Sequence, residues 1–487
     1  MPSPARPLPA CASFYHLPNT DITGRACRGL ACFAARADAP QRWQQACGSA
    51  TSLYCLGQCH QGPAQAGDHA SPVIRTHCRQ PVLLTTLSGK PDDSLACYQQ
   101  RGGGAALRML LPLPASAAIG QLETAGLRGR GGAGFPAARK WAAVAAAGGV
   151  QKYVVANADE GDPGSFSDKV LLEQNPFQLI EAMIIAGITV GATQGYIYLR
   201  CEYPAAAGVL QQAIRQAYAA GWLGAAVLGS SHHFELQLVI GHGSYLCGEE
   251  TAMLNAIEGQ RPEVRLRPPQ ISEHGLYGQP TLVNNVETLC AVPWIVEHGG
   301  AAYAAMGTAN SKGTKLLSLN SLFNRPGLYE VEFGITIRQI VDELGGGLRR
   351  GQLKGVMIGG PLAGIMPPAL LDTPLDYEAL HAIGCAVGHG GVIAFADDSP
   401  IAAIVAEVFR FGAGESCGKC TPCHLGSPEL ARSFEAVLAA AKMPRQRWHE
   451  LIAALADGSL CGHGRGLAEF ALAIERHYPQ ELATCFV

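Results

Sequence analysis

The sequence predicts a multidomain α/β protein, and three features of the chain support this prediction. With 487 residues it is too long for a single hydrophobic core. Apolar strand-like runs alternate with segments of helical periodicity between Lys152 and Ile257, a pattern typical of a mixed α/β sheet. A helical, cysteine-bearing segment follows from about Ile401. We therefore expect four domains, at residues 1–85, 86–310, 311–397 and 398–487.

Composition narrows the class of protein. Only 15% of residues are charged and the net charge is -3, so the chain has no electrostatic footprint for nucleic acid. The longest apolar stretch, around Ala182 to Ala192, is far shorter than the roughly 20 residues that span a bilayer. The proline-rich N-terminus lacks the apolar region of a signal peptide, and we expect cytoplasmic residence. Seventeen cysteines then favour metal ligation or burial over a disulfide framework.

Two close cysteine pairs lie in the N-terminal segment, Cys27-x4-Cys32 and Cys55-x3-Cys59. Four thiolates in two such pairs suit a 2Fe-2S cluster. The spacing also permits zinc, and small buried residues of a compact domain would give the same pattern. From about Pro81 to Pro114 the sequence is loop-like.

A glycine-rich loop extends from Gly126 to Trp141. Without Cβ atoms, such a loop can bring its N–H groups against a phosphate or a flat ring. Its basic side chains predict an anionic ligand, although a plain surface loop is the alternative. The glycines and cations concerned are Gly129, Gly131, Gly132, Gly134, Arg128, Arg130, Arg139 and Lys140.

An acidic loop follows the strand-like run that begins at Lys152. It extends from Asn157 to Phe166 and offers Asn157, Asp159, Glu160 and Asp162 as acceptors for ribose or ribityl hydroxyls. Ligands bind at the carboxyl ends of strands in open α/β sheets. The basic loop and the acidic loop therefore predict two walls of a nucleotide pocket.

Helix and strand signals alternate after this loop. We predict an amphipathic helix from Pro176 to Gly191, and then a strand, a helix and a strand over 195–200, 205–219 and 234–240. Glu249 and Glu250 follow at the start of a helix, where they either interact with the helix dipole or face a cofactor. Asn284 and Asn285 are paired amides that could hold a ring edge.

The last two predicted domains differ in pattern. A β-β-α-β order between Lys315 and Gly359 predicts a β-grasp-like domain. The C-terminal segment contains a Cys-x2-Cys-x2-Cys run and one remote cysteine, an arrangement typical of a 4Fe-4S cluster. Zinc is the alternative metal, and His463 is a second-choice ligand. The four cysteines are Cys417, Cys420, Cys423 and Cys461.

Together these motifs resemble one family, the NADH-oxidising flavoprotein subunits of complex I, of soluble NAD-dependent hydrogenases and of formate dehydrogenases. The motifs that match are Gly126–Trp141, Asn157–Phe166, Tyr245–Glu250, Asn284–Thr288 and Cys417–Cys423. The resemblance covers roughly residues 105–470. It implies a Rossmann-like FMN domain, a β-grasp domain and a C-terminal helical bundle with the iron–sulfur cluster. The first 80 residues resemble a shortened thioredoxin-like 2Fe-2S protein.

The resemblance also implies site residues. Phe135, Lys140, Asp162 and Glu250 would lie nearest the nicotinamide nucleotide, with Lys140 and Glu250 as positioning and electrostatic groups. Cys417, Cys420, Cys423 and Cys461 would hold the cubane. Gln270 stands where the family has an aromatic residue that can stack on adenine. The FMN and NADH cleft would be lined by Gly129, Arg130, Gly131, Lys140, Asn157, Asp159, Glu160, Tyr245, Gly248, Glu249, Glu250, Asn284 and Asn285.

The implied function is hydride exchange between NAD(H) and FMN, with single electrons passing through the 4Fe-4S cluster to or from partner subunits. Gly161-Asp162-Pro163 and the segments 359–368 and 372–378 look most like a formate dehydrogenase β subunit. That resemblance implies a molybdopterin-bearing catalytic partner and a small thioredoxin-like 2Fe-2S subunit. The alternatives are a hydrogenase or complex I diaphorase, a flavoprotein that only relays electrons, and a zinc-stabilised assembly module without catalytic activity.

Overall fold

A computed structural model describes Tyr15, Leu17 and residues 22–49, 52–84 and 94–487. The predicted boundary at residues 85 and 86 and the proline-rich first residues lie outside this part of the chain.

In chain order the strands are β1 Ile74–His77, β2 Tyr153–Ala158, β3 Gln194–Leu199, β4 Glu235–Ile240, β5 Thr281–Asn285, β6 Thr314–Leu319, β7 Gly327–Glu332, β8 Leu353–Ile358 and β9 Gly391–Ala396. The α-helices are α1 Leu30–Ala34, α2 Pro40–Gly48, α3 Leu95–Gln100, α4 Ala105–Leu110, α5 Ser116–Ala125, α6 Ala137–Ala146, α7 Ser167–Gln174, α8 Pro176–Val190, α9 Pro204–Ala219, α10 Glu250–Ile257, α11 Val286–His298, α12 Gly300–Ala304, α13 Tyr377–Ala382, α14 Ile401–Gly414, α15 Thr421–Leu438, α16 Arg445–Gly458, α17 Gly462–His477 and α18 Pro479–Ala483.

A parallel sheet with the strand order β4-β3-β2-β5 positions the ligand site. The chain crosses the sheet from β2 through β3 to β4 and then returns to place β5 on the other side of β2. In such sheets ligands bind at the carboxyl ends of the strands, where the strand order reverses. Here that point lies between β2 and β5, and Asn157 of β2 is the register partner of Asn285 of β5.

Helix α8 packs at the centre of this domain. It was expected to be amphipathic, but all of its residues are buried. Most of its residues are apolar, as is usual for a helix enclosed by other elements, and its polar Gln178 and Glu181 are hydrogen-bonded. The strands and helices predicted on either side of it, β3, α9 and β4, are present.

Residues 95–110 form two short helices, α3 and α4, so the prediction of a loop there was wrong. Leu95, Tyr98 and Leu107 are buried. The carboxylate of Glu181 accepts hydrogen bonds from the Tyr98 hydroxyl and from the backbone N–H groups of Gly104 and Leu107. This tertiary anchor fixes the start of α4 in spite of the glycines before it.

The second sheet has the order β1-β7-β6-β9-β8. Strands β6, β7 and β8 and a π-helical turn over Gln339–Leu344 give the β-β-α-β order predicted for a β-grasp-like domain. Strand β9 lies between β6 and β8, and β1 extends the edge beside β7.

The described part of the N-terminal segment joins the β-grasp sheet through β1, and the shortened thioredoxin-like domain expected at residues 1–85 stays a prediction. Among residues 22–49 and 52–84 the structure contains one strand, β1, and it pairs with β7 of the β-grasp sheet. Only 22 residues separate Cys32 from Cys55, and α2 occupies part of them.

The C-terminal domain is the predicted helical bundle. Helices α14 to α17 enclose a cluster of aromatic rings contributed by Phe409, Phe434, Trp448 and Phe470. Within the described part of the chain, no helix combines the length and the apolar character that crossing a membrane would require.

Candidate functional site

Two connected cavities lie at the carboxyl edge of the parallel sheet. The larger measures about 640 Å³ and the smaller about 200 Å³. Ligand pockets are typically about 300–1,000 Å³, so the larger one alone could hold a nucleotide. Five residues line both cavities, namely Gly131, Asn157, Gly248, Glu249 and Asn285.

The glycine loop forms one wall of the larger cavity. A Cβ on Gly131 would lie 3.0 Å from Asn285 Cβ, and Gly134 has a φ of +62° with the Tyr377 ring against it. Larger residues would therefore close the space or strain the backbone. Phe135 is 51% exposed although it is aromatic, and it lines this cavity. The loop thus offers backbone and one ring to a ligand.

Arg130 does not line either cavity. Its guanidinium is buried and donates to the Tyr303 hydroxyl and to the backbone oxygens of Arg128 and Lys312, each within 3.1 Å. It also lies over the Phe333 ring, 4.7 Å from the ring centroid. The expectation that this side chain faces the ligand is therefore corrected: Arg130 fixes the glycine loop to the rest of the domain.

Lys140 and Glu250 form an ion pair in the wall of the larger cavity. Lys140 Nζ lies 2.9 Å from Glu250 Oε2, and Arg267 lies 2.8 Å from the other carboxylate oxygen. Burial opposes ionisation of Glu250, but the two cations outweigh it and hold the pKa of Glu250 below its ordinary value. Glu249 also pairs with Arg267, and it accepts hydrogen bonds from the first N–H groups of α10. Glu249 thus caps α10 as well as lining both cavities, and Glu250 lines the larger one.

The end of β2 contributes polar groups to the smaller cavity. Asn157 Nδ2 donates to the Gly248 oxygen at 2.8 Å, which joins the two walls. The Tyr245 hydroxyl donates to Asp162 Oδ1 at 2.7 Å. Asp159 Oδ2 is buried and has no hydrogen-bond partner among the described residues. A buried oxygen without a partner is costly unless a ligand completes it.

Glu160 points away from both cavities. Its carboxylate accepts from the backbone N–H groups of Asp168 and Lys169 and from the hydroxyls of Ser167 and Tyr203. Because these donors occupy both oxygens, Glu160 cannot bind ribityl hydroxyls, and that expectation is corrected. Its carboxylate instead holds the first turn of α7.

Asn284 and Asn285 are fixed by neighbouring side chains. Trp141 Nε1 donates to Asn284 Oδ1 at 2.9 Å. Asn285 Nδ2 donates to Asp168 Oδ2 at 2.6 Å, while its own oxygen caps α11 through Thr288 N. Both residues line the larger cavity, so their positions are set before a ligand enters.

These features fit a flavin mononucleotide. A glycine loop leaves room for close approach, Asp159 supplies a buried polar oxygen without a partner among the described residues, and cations line the mouth of the cavity. Of the predicted FMN and NADH residues, Arg130 and Glu160 lie outside the cavities. The structure places the others on one wall or another: Gly129, Gly131, Phe135, Lys140, Asn157, Asp159, Asp162, Tyr245, Gly248, Glu249, Glu250, Asn284 and Asn285.

The C-terminal cysteines converge beside the smaller cavity. Cys420 and Cys461 are the residues that precede the first turns of α15 and α17, and Cys417 and Cys461 share one hydrophobic cluster. Helix N-termini favour thiolates over thiols. Burial, and to a smaller extent the other three thiols, raise the pKa of Cys423 to about 11. As thiolates, the four sulfurs repel one another. A cationic iron centre bound between them would relieve this repulsion.

The N-terminal cysteines also converge. Cys27, Cys32, Cys55 and Cys59 are each at most 2% exposed. Cys55 Sγ lies 3.3 Å from Cys59 Sγ, and Cys27 is hydrogen-bonded to Cys32 and to Cys55. Backbone N–H groups point at the sulfurs, from Gly29 to Cys27 and from Ala64 to Cys32. Such donors are typical of sites that hold thiolates.

Several residues of the site were missed in the sequence. Arg267 pairs with two glutamates, and Asp168, His389 and Leu362 line the smaller cavity. Asp168 lies two residues after the predicted acidic loop, in the first turn of α7, and was not predicted as a site residue. His389 lies between glycines in Gly388-His-Gly-Gly391, and this glycine context was the one signal that could have identified it.

Comparison with protein-family models gives two matches. The Nuo51 FMN-binding domain matches residues 122–294, which contain the glycine loop and the parallel sheet. The NADH-ubiquinone oxidoreductase-F iron–sulfur binding region matches residues 403–485, which contain the four C-terminal cysteines.

Two relatives and one solved structure are similar to most of this chain. The F 2 subunit of the NADH-quinone oxidoreductase of Rhizobium meliloti (strain 1021) is 42% identical over 349 residues, 71% of this chain and 83% of the relative. The HndC subunit of the NADP-reducing hydrogenase of Solidesulfovibrio fructosivorans is 38% identical over 376 residues, 77% of this chain and 76% of the relative. A crystal structure of NAD+-reducing [NiFe]-hydrogenase in the H2-reduced state aligns with a TM-score of 0.84 at 29% identity, covering 98% of this chain and 87% of that chain.

Proposed function

This chain belongs to the family of NADH-binding flavoprotein subunits found in NADH-quinone oxidoreductases, and we propose that it is the diaphorase subunit of a multisubunit oxidoreductase. It has an FMN-binding domain, a 4Fe-4S binding region and the NADH-binding fold of its family. In the proposed reaction a hydride passes between NAD(H) and FMN, and single electrons leave through the iron–sulfur cluster. Flavin can exchange electrons in pairs or singly, which nicotinamide cannot do effectively.

One observation carries this proposal: the flavin cavity directly adjoins the C-terminal cysteine site. Tyr245 and His463 both line the smaller cavity, and their ring centroids are 5.8 Å apart. His463 is two residues from Cys461, a predicted cluster ligand. A flavin in this cavity and a cluster on these cysteines would be neighbours, as electron transfer between them requires.

The side chains of the chain position the reactants. Lys140 and Arg267 place positive charge at the cavity, and Glu250 fixes both cations at defined positions. The glycine loop lets flat rings approach the backbone. Hydride transfer needs stacked rings and no side-chain acid or base, so we assign Lys140 and Glu250 positioning and electrostatic roles.

We also propose that Cys27, Cys32, Cys55 and Cys59 hold a 2Fe-2S cluster. Their convergence and their backbone donors support this site although the described part of the segment forms no sheet of its own. The N-terminal cysteines lie close to the flavin cavity, because Gly164 of the acidic loop donates its N–H to Cys55 and Cys59. A 2Fe-2S cluster on these cysteines would supply a second one-electron site near the flavin cavity.

The partner subunit decides the overall reaction. The relatives compared above bear the names of quinone oxidoreductases and hydrogenases, which favours a hydrogenase-type or complex I partner over the formate dehydrogenase partner expected from the sequence. The hydrogenase structure aligns with 98% of this chain, including the N-terminal segment, which favours a hydrogenase-type complex. A separate small 2Fe-2S subunit and cytoplasmic residence stay predictions.

The experiment is anaerobic purification of the native complex. We expect about one FMN and about six irons per chain, together with NADH-dependent reduction of an artificial dye. A colourless protein with stoichiometric zinc and no flavin would contradict the proposal and favour an assembly module. The metal of the copurified large subunit identifies the second substrate: nickel indicates a hydrogenase, and molybdenum or tungsten indicates a formate dehydrogenase.

A further inference from the structure

A buried triad of Glu160, Asp168 and His389 lies at the wall of the smaller cavity. His389 Nε2 is 3.0 Å from Asp168 Oδ2 and 3.5 Å from Glu160 Oε1. Both carboxylates are fully buried, and His389 is 6% exposed. Asp168 and His389 line the cavity together with Asp162 and Tyr245, while Glu160 lies one layer behind them. The triad thus reaches the flavin site through Asp168 and His389, which were not among its predicted ligands, while Glu160 is the predicted ligand that the fold buries behind them.

The geometry favours a proton rather than a metal ion in this triad. Both oxygens of Glu160 already accept hydrogen bonds from N–H and O–H donors, and Asp168 Oδ2 accepts from Asn285. Donors that point at carboxylate oxygens occupy the positions that a cation would take. A proton on Glu160 can be accommodated, because the hydroxyl groups of Ser167 and Tyr203 can rotate and accept a hydrogen bond from it. His389 Nε2 faces Asp168 Oδ2 at 3.0 Å.

The charges around His389 come from several elements. Asp168 of α7 and Glu160 of the acidic loop face its ring, and Asp162 lies close enough to affect it. Lys315 of β6 donates to the His389 backbone oxygen and is paired with Glu287 of α11 in a fully buried ion pair. The Tyr203 hydroxyl and the backbone N–H of Lys169 donate to the Glu160 carboxylate. Arg200 donates to the backbone oxygen of Glu160. With the Lys315–Glu287 pair neutral, the triad has a net charge of about -1 in the state in which both carboxylates are ionised and His389 is cationic.

We infer that Glu160, Asp168 and His389 form a proton-binding cluster of the flavin cavity, which takes up one proton when the flavin is reduced and releases it when the flavin is oxidised. The inference rests on the proposed flavin site. A hydride from NADH adds two electrons and one proton to the flavin, which is one net negative charge. Binding of one solvent proton at the Glu160 carboxylate balances that charge. When the two electrons pass to the iron–sulfur clusters, the hydride's proton and the Glu160 proton both return to solvent.

The titration behaviour of the triad agrees with this role. Burial lowers the pKa of His389, but Asp168 and Glu160 outweigh it and raise the value to about 9. Burial and the charge of Asp168 raise the pKa of Glu160 to about 7. His389 is therefore cationic at neutral pH, and Glu160 is close to its midpoint. Reduction of the flavin adds negative charge to the cavity, which raises the pKa of Glu160 further. Above about pH 7, where Glu160 is ionised in the oxidised protein, flavin reduction therefore drives proton uptake. At lower pH Glu160 is already protonated, and flavin reduction adds no proton there.

The test measures the flavin midpoint potential by spectroelectrochemistry between pH 6 and 8.5 in the holoenzyme. Glu160→Gln and His389→Gln are compared with wild type and with His233→Gln, which removes a surface histidine paired with Glu235 at 3.0 Å. Above pH 7 we expect the potential of wild type and of the surface variant to fall with pH about twice as steeply as that of the triad variants. Below about pH 6.5 the four slopes should agree. Equal slopes throughout would overturn the inference while leaving the proposed function intact.

A second measurement needs no variant. The reduction-induced infrared difference spectrum of wild type should contain the C=O band of a newly protonated carboxyl group, shifted in D2O, and Glu160→Gln should lack it. Absence of that band in wild type would overturn the cluster even if both triad variants failed to fold. Stoichiometric binding of manganese or zinc that depends on Asp168 would also overturn it, by showing a cation site. Failure of wild type to bind FMN would overturn both this inference and the proposed function.

Discussion

Lys140 Nζ and Glu250 Oε2 lie 2.9 Å apart although 110 positions separate the two residues in the chain. Lys140 comes from α6, after the glycine loop, and Glu250 from α10, after β4, so the ion pair joins two helices that line the cavity. Arg267 adds a second cation to the same carboxylate.

Glu250→Ala should lower kcat/KM for NADH-dependent dye reduction by about 10- to 100-fold, since a hydrogen bond to a charged group contributes about 1.5–3 kcal/mol. Lys140 and Arg267 would lose their shared partner and move from their positions. Stopped-flow or steady-state dye assays measure the change. Glu481→Ala, which breaks an exposed ion pair with Lys354, is the matched control and should leave the kinetics unchanged. Wild-type kinetics in Glu250→Ala would remove this residue from the site.

The same ion pair predicts the pH range over which NADH binds well. Because the pKa of Glu250 lies below its ordinary value in the folded protein, its interaction is fully present above about pH 4.5 and is lost as the pH falls through the folded value. The Michaelis constant for NADH should therefore show no titration of Glu250 between pH 6 and 8. A step in that interval which disappears in Glu250→Gln would contradict this assignment.

Gln270→Phe should strengthen NADH binding. Gln270 lines the larger cavity and stands where the family has an aromatic residue. Aromatic stacking contributes about 0.5–1.5 kcal/mol, which corresponds to a roughly 2- to 10-fold lower dissociation constant. Fluorescence titration of the oxidised protein with NAD+ and with AMP measures the effect. If AMP binds no better to the variant than to wild type, adenine does not stack at this position.

Arg130→Lys should destabilise the protein without changing the NADH chemistry of the molecules that remain folded. The buried guanidinium makes three hydrogen bonds that a single ammonium group cannot reproduce. Leaving such partners unsatisfied costs about 1–3 kcal/mol each. The apparent Tm should fall and FMN should be lost more readily, as measured by calorimetry and flavin fluorescence. A raised Michaelis constant with unchanged Tm would instead indicate that Arg130 contacts the ligand.

Cys55→Ala should remove one iron–sulfur cluster and leave the other. Iron content should fall from about six to about four atoms per chain, and the electron paramagnetic resonance signal of a 2Fe-2S centre should disappear while the 4Fe-4S signal persists. Cys47→Ala, at an exposed cysteine of the same segment, is the control and should change neither. Six irons in Cys55→Ala would show that the N-terminal cysteines do not bind a cluster.

Local sequence patterns predicted much of the fold class and of the cofactor content of this protein. The Cys-x2-Cys-x2-Cys run, the glycine loop and the strand-to-acidic-loop transition each depend on neighbouring residues, so they can be read without the fold. They led to the family, the α/β class, FMN and the 4Fe-4S cluster, all of which the comparisons confirm. The helices over 95–110 were missed because a buried carboxylate on α8 organises them, and no local pattern reports that contact.

The sequence by itself determined which chemical groups are available: thiols at cluster spacing, a loop without side chains, and acids and amides at strand ends. Only the tertiary structure decided which way they face. It buries the side chains of Arg130 and Glu160 away from the cavities and brings Lys140, Glu250 and Arg267 together in the wall of one cavity. It also pairs the N-terminal strand with the β-grasp sheet and places His389 between two buried carboxylates. The physical reason is that spacing along the chain is set by covalent geometry, whereas orientation is set by packing and hydrogen-bond satisfaction among segments far apart in sequence.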